Sequence, residues 1–382
     1  MKKNILLLLC FISLFHVSKA QNAINSYWET NGQVNATAKL NNKLYIGGEF
    51  SYVGPSSGCF GAFNTSSNQV TFNNTKITGQ VTASVSDNAG NVYLAGDFSI
   101  NGSQRKSLAK FSSAMVYDPN FQFTFDGALL QLAVNNNNLF LAGQFSTVNS
   151  SVRNGLAAID LSSNTLTPFS PNPDGQIKTL QSANGVLFVG GSFNSISNTS
   201  RASFAAYDGS KNLLPLNLNV LGSISSVAVS DSLLFVAGQF DSIAGVERKN
   251  LASFNILTGN LRSWRADVTG MVNEMAINQS SLYLAGNFYQ VGIQIRSNLA
   301  ACNLFTGAVV SSFNPGVDSE IKAIEIKNGN AYLAGSFSSV GSSQKPYLAA
   351  VTLSDGSFIG NLPKTNGEVS NLLFAGDILI AT

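Results

Sequence analysis

One pair of carboxylates has a spacing that suits chemistry. Glu320 and Glu368 open equivalent segments of two adjacent sequence units. Glycosidases use two carboxyls roughly 5 to 9.5 Å apart, one giving a proton while the other acts as base or nucleophile. The same position elsewhere holds Gln33, Gln80, Gln176, Ala128, Ser223 and Met271. A position that accepts Met and Ala reads more simply as a solvated rim. A second periodic set is basic: Arg105, Arg153, Arg201, Arg248, Arg296 and Lys345 each follow a recurring Phe by seven or eight residues, and Ser57 stands there in the first unit. Such regular placement favours cations that cap carbonyls or pair with the next unit. The alternative is a ring of donors for an acidic glycan or a protein partner.

Other chemistry is excluded by residue type. Lys2 and Lys3 precede an eleven-residue apolar run at 5–15, and Ser18-Lys19-Ala20 supplies small residues at the positions a secretory peptidase reads. The run is well short of the roughly 18 residues a membrane-spanning helix needs. Residues 1–20 therefore read as a signal peptide, with 21–382 as the mature chain. Cleavage takes three of 22 basic residues, leaving 19 against 20 acids, so the formal charge moves from +2 to −1. It also removes His16, the single histidine. A chain without histidine runs no Ser-His-Asp or Cys-His mechanism and builds no His-ligated zinc site. Near-neutral charge without a basic block argues against nucleic acid and anionic membrane as partners. No calcium loop is present, and Asp87-Asn88-Ala89-Gly90 reads as a hairpin turn. Neither a metal nor a cofactor is expected. Cys59 and Cys302 remain after cleavage. They fall at different positions of different units, which favours small buried side chains over a disulfide.

The positioning elements come from a repeat. Leu44-Tyr45-Ile46-Gly47-Gly48-Glu49-Phe50 returns at 92–98, 139–145, 187–193, 234–240, 282–288 and 331–337, and the closing phenylalanines lie 47 to 49 residues apart. Each unit divides into four short strands. The first follows a turn glycine, as in Gly175-Gln176-Ile177-Lys178, and a turn such as Asn184-Gly185 leads into the second. The third is of the Leu156-Ala157-Ala158-Ile159 type, and the fourth is short and often aromatic, as in Leu261-Arg262-Ser263-Trp264. The second strand is apolar at consecutive positions, so both its faces are buried. Four antiparallel strands at this period, buried on both faces, predict β-propeller blades. The mid-strand glycine allows close backbone approach, and the phenylalanine fills the wedge between blades. A parallel β-helix repeats at about half this length, and the two halves of a unit share no similarity.

The Trp-Asp pair of WD repeats is absent, because Glu29 follows Trp28 and Arg265 follows Trp264. The strand order is similar to kelch-type blades. Phe313-Asn314-Pro315-Gly316, then Ile321-Lys322-Ala323-Ile324, Tyr332-Leu333-Ala334-Gly335-Ser336-Phe337 and Leu348-Ala349-Ala350 resemble the delta-60 repeat of bacterial exported proteins. Tyr117-Asp118-Pro119-Asn120-Phe121 carries the same likeness, which extends over residues 32–380. Alanine replaces the first glycine of the doublet at Ala95, Ala142, Ala237, Ala285 and Ala334. The resemblance implies a secreted or surface propeller and supplies no catalytic residue.

The resulting expectation is an all-β, kelch-like propeller of seven complete four-stranded blades, with repeats starting near 32, 79, 127, 175, 222, 270 and 318, and part of an eighth from 367. The ends of the sequence would supply strands one, two and four of that eighth blade, as in a chain shortened by at least about 20 residues. The loop after the second strand and the start of the first share one face. The Arg ring and the Gln/Glu rim are thus the expected binding face. The expected function is a non-catalytic binding or structural module, secreted or at the cell surface, for a glycan or surface protein. The alternative is a carbohydrate-active enzyme using Glu320 and Glu368.

Overall fold

The computed structural model describes residues 28–30, 33–40, 43–49, 53–55, 58–67, 69–70 and 75–382. The expected signal peptide, Phe50 and Ser57 lie outside them. Repeats two to seven each fold as one antiparallel sheet. In repeat four, Gln176–Ala183 pairs with Val186–Ser192, which pairs with Phe204–Tyr207. The first strands touch one another in cyclic order, so they line the axis, with the second and third strands stacked outward.

What holds the ring is the side chains between blades. Among the described residues there are seven apolar clusters, and each draws on two consecutive blades. Between repeats three and four, Phe140, Ala158 and Phe169 meet Ile177, Leu187 and Phe193. The marker residues Phe98, Phe145, Phe193, Phe240, Phe288 and Phe337 are all buried, as wedge-filling residues must be. Aromatic rings on second strands meet rings after third strands edge-on: Tyr93 with Phe121, Phe140 with Phe169, Phe235 with Trp264 and Tyr283 with Phe313. This is the favoured geometry for ring quadrupoles.

Two features depart from the sequence expectation. Blades are three- or four-stranded. A fourth strand exists at Thr165–Leu166, Phe358–Ile359 and Gln69–Val70. In repeats two, four, five and six it shrinks to single bridges, Phe111 to Tyr117, Tyr207 to Leu213, Phe254 to Leu261 and Cys302 to Val309. The segment that follows the bridge is held by a basic side chain in repeats four to six, as it also is in repeat three, where the fourth strand forms.

The second correction concerns the ends. Leu372–Ala375 and Ile378–Ala381 do not begin an eighth blade. Ile378–Ala381 pairs with Gly61–Asn64, the third strand of repeat one, and Gln69–Val70 follows as the fourth. This composite blade presents Phe63, Leu372 and Leu379 to repeat seven and Phe60, Leu373 and Ile380 to repeat two. The seven blades thereby close on themselves. Trp28–Thr30, expected as a fourth strand, pairs instead with Val53–Pro55. Gln33–Leu40 and Lys43–Glu49 form a separate two-stranded sheet.

Among the described residues, no helix is long and apolar enough to cross a membrane. Cys302 is buried, Cys59 half-buried, and both are free thiols. Burial pushes the Cys302 thiol up to about 12, so it serves as a small core side chain.

Candidate functional site

The rim is built by one recurring irregularity. In repeats two to seven the first strand carries a β-bulge directly after an apolar residue, at Thr82, Leu130, Lys178, Ser225, Asn273 and Lys322. A bulge adds one residue, bends the strand and re-aims the side chains before it. The bend brings the carbonyl before the bulge over the second strand. A Cβ on Gly96, Gly143, Gly191, Gly238, Gly286 or Gly335 would overlap the carbonyl oxygen of Gln80, Ala128, Gln176, Ser223, Met271 or Glu320, respectively. The second glycine of the doublet is therefore fixed. Alanine stands at the first position in most units, since it does not face that carbonyl.

Bulge residues also tie neighbouring blades. Thr82 Oγ1 donates to the Leu129 carbonyl at 2.7 Å, Ser225 Oγ to Val272 at 2.7 Å and Asn273 Nδ2 to Ile321 at 2.9 Å. Lys178 Nζ reaches Ser223 Oγ at 3.1 Å. Lys322 Nζ lies 2.5 Å from Glu368 Oε1, which joins repeat seven to the composite blade. Ser84 Oγ donates to Asn371 Oδ1 at 2.7 Å and joins that blade to repeat two.

The ring gathers Gln80, Ala128, Gln176, Ser223, Met271, Glu320 and Glu368 at the start of its first strands. Gln80 and Gln176 are exposed and line one cavity of about 280 Å³ with Thr82, Gln131, Lys178 and Ser370. Its lining mixes amides, hydroxyls and one ammonium with Val81, Leu130 and Ile177. Gln33 is absent from this group, because it lies on the separate N-terminal sheet. Glu320 Oε1 accepts from Asn273 Nδ2 at 2.9 Å. Glu368 accepts from Lys322 and from Ser336 Oγ, and these bonds hold its carboxyl below the ordinary range.

The basic set turns inward. Arg153 Nη2 donates to the Thr167 carbonyl at 2.7 Å, Arg201 Nη2 to Leu214 at 3.3 Å, Arg248 Nη2 to Arg262 at 3.3 Å and Arg296 Nη2 to Ser311 at 3.2 Å. Lys345 Nζ takes the Leu362 and Pro363 carbonyls at 2.7 and 2.9 Å. Arg248, Arg296 and Lys345 are buried. Each cation pins the segment after the third strand. Arg105 differs: it is exposed, and its Nε lies 2.5 Å from Asp97 Oδ1.

Sequence reading passed over two carboxyls deeper along the first strands. Glu274 Oε2 accepts from the Ile324 amide at 2.8 Å. Burial raises Glu274 to about 7, while burial and the charge of Glu274 raise Glu325 to about 8. Both side chains keep some accessible surface although protein crowds around them. Their signal was present as acids set directly beside apolar residues, Met275 after Glu274 and Ile324 and Ile326 around Glu325. The bulge between them and the turn glycine hid the face they occupy.

The architecture is a seven-bladed β-propeller. Its coordinates are similar to the crystal structure of the computationally designed Ika8 protein, with a TM-score of 0.51 and 13% identity over 79% of this chain and 95% of that one. They also match the crystal structure of BamB from Moraxella catarrhalis, with a TM-score of 0.46 and 11% identity over 91% of this chain and 95% of that one. At such identity the first likeness concerns the fold alone. No family description and no curated protein matches the chain.

Proposed function

We propose that this chain is an exported, non-catalytic β-propeller, similar to the kelch and delta-60 types, that acts as a binding module at or beyond the cell surface. The observation that carries this reading is the cavity at the channel mouth, where Gln80, Gln176, Gln131 and Lys178 converge from three blades. Convergent amides with one cation suit a neutral or weakly acidic polyhydroxylated ligand, or the polar loop of a surface protein. The buried arginines serve the scaffold in this reading, and Arg105 and the Gln/Glu rim face the ligand. The apolar run at 5–15 behind Lys2 and Lys3, read as an export signal, supports the location. A glycan and surface-protein array probed with the 21–382 chain tests the proposal. Binding that is lost in a Gln80→Ala/Gln176→Ala double variant supports it; binding indifferent to both changes overturns the choice of site.

The competing reading is a carbohydrate-active enzyme using Glu320 and Glu368. Such an enzyme needs one carboxyl that keeps its proton at working pH. The Lys322 ion pair favours the ionised form of Glu368, the state of a base or nucleophile, which leaves Glu320 as the acid this reading requires. Glycan cleavage abolished by Glu320→Gln would favour the enzyme.

A further inference from the structure

The chain contains eight copies of the first-and-second-strand pair and seven places for them. Gln33–Leu40 and Lys43–Glu49 pair in the blade register, with the same bulge between Val34 and Ala36. Among the described residues they meet no third strand, and residues 33–39 and 47–49 are exposed. The third strand of their own repeat, Gly61–Asn64, is taken by Ile378–Ala381.

The two pairs match position for position. Leu40 faces Lys43 as Ala375 faces Ile378, and Ala38 faces Tyr45 as Leu373 faces Ile380. Spacing also permits the pairing within repeat one. Val92 pairs with Phe111, 19 residues on, and the same interval from Leu44 reaches Phe63. Phe63 is the residue that now pairs with Leu379. In the local arrangement Tyr45 would replace Ile380 beside Ala62. The loop closed would be far shorter, which lowers the entropic cost of closure. Against that, the C-terminal pair supplies Leu372, Leu373, Leu379 and Ile380 to the two interfaces of the composite blade.

We propose that Gly61–Asn64 is an exchangeable seat, held by Leu372–Ala381 in the closed ring and contested by the N-terminal strand pair of the same chain. Exchange replaces Glu368 at the rim with Gln33, and Ser370 in the mouth with Asn35. It removes the Lys322–Glu368 ion pair and leaves a less acidic mouth. Only this last consequence rests on the mouth being the binding site. The exchange itself does not.

Cross-strand disulfide trapping in the full chain, with Cys59→Ser as background, tests the proposal. Ala62→Cys/Ile380→Cys reports the closed ring and Ala62→Cys/Tyr45→Cys the exchanged one. Phe188→Cys/Ala206→Cys, the equivalent fixed pair of repeat four, calibrates the rate. The expected result is rapid bonding of 62 to 380 and slower, intramolecular bonding of 62 to 45 in folded monomer. Adding Ile380→Asp to the second pair is expected to speed its bonding by about tenfold or more, with near-UV circular dichroism retained. Should that triple variant fail to fold, the 62–45 double variant decides alone. Absence of the 62–45 bond in folded chain, or its appearance only between molecules, overturns the proposal. Glycan binding plays no part in this readout, so failure of the binding reading leaves it intact.

Discussion

Ile380 is the direct cross-strand partner of Ala62, so the C-terminal strands complete a blade begun by the first repeat. The Thr65 hydroxyl donates to the Asp377 carbonyl at 3.1 Å in the same seam. Through this seam the apolar cluster behind repeat seven and the one ahead of repeat two share a single sheet. An open fan of blades would leave two apolar faces in water. Closure buries both, at roughly 25 cal/mol per Å² of apolar surface removed from solvent.

The wedge phenylalanines carry much of that burial. Phe193→Ala is expected to cost roughly 3–5 kcal/mol, because it empties a space bounded by two blades that cannot easily collapse. Urea unfolding of wild type and variant measures it. A loss below about 1 kcal/mol would contradict the packing of Phe193 against repeat three.

The glycine doublet makes an asymmetric prediction. Gly191→Ala places a methyl group on the Gln176 carbonyl, which belongs to backbone held by the bulge. A cost of about 1–3 kcal/mol or more is expected, typical of overpacking against rigid neighbours. Ala142→Gly, at the tolerant first position, is expected to cost about 0.5–1 kcal/mol through chain entropy. Equal effects in thermal unfolding would contradict the bulge as the cause of the glycine.

Arg201 and Arg105 separate structural from surface cations. Arg201→Ala strands the Leu214 carbonyl and should lower stability by roughly 1–3 kcal/mol. Arg105→Ala removes an exposed ion pair and should leave stability nearly unchanged. A stable Arg201→Ala variant that loses an anionic ligand would return the arginine set to the binding face.

The β-propeller architecture and the order of strands within a repeat were legible because each repeat states them again. The seven-fold return of the Leu44–Phe50 phrase left little freedom in the fold. Three things were not legible. Arg105 follows Phe98 by seven residues and Arg153 follows Phe145 by eight, and only the third dimension shows that this one-residue difference separates an exposed ion pair from a carbonyl bond. The bulge at Thr82 and its counterparts is a backbone event with no fixed residue type. The partner of Ile378–Ala381 depends on competition between two similar strand pairs, which local pattern cannot decide.

The channel carboxyls predict a pH effect. Glu325 titrates at about 8 in the fold, against about 4.3 in an unfolded chain. The folded state therefore holds more protons between those values, and stability falls as pH rises through that window. Glu325→Gln removes the term. Its stability relative to wild type is expected to be greater at pH 8.5 than at pH 5 by on the order of 1–3 kcal/mol. A constant difference across that range in urea titrations would contradict burial as the cause.

Amide hydrogen exchange on the full chain, resolved to residues 44–47, 61–64 and 378–381, tests ring closure most directly. Closure by the C-terminal strands predicts strong protection at 61–64 and 378–381, well above that at 44–47. Protection at 44–47 and 61–64, with 378–381 exchanging freely, would contradict it.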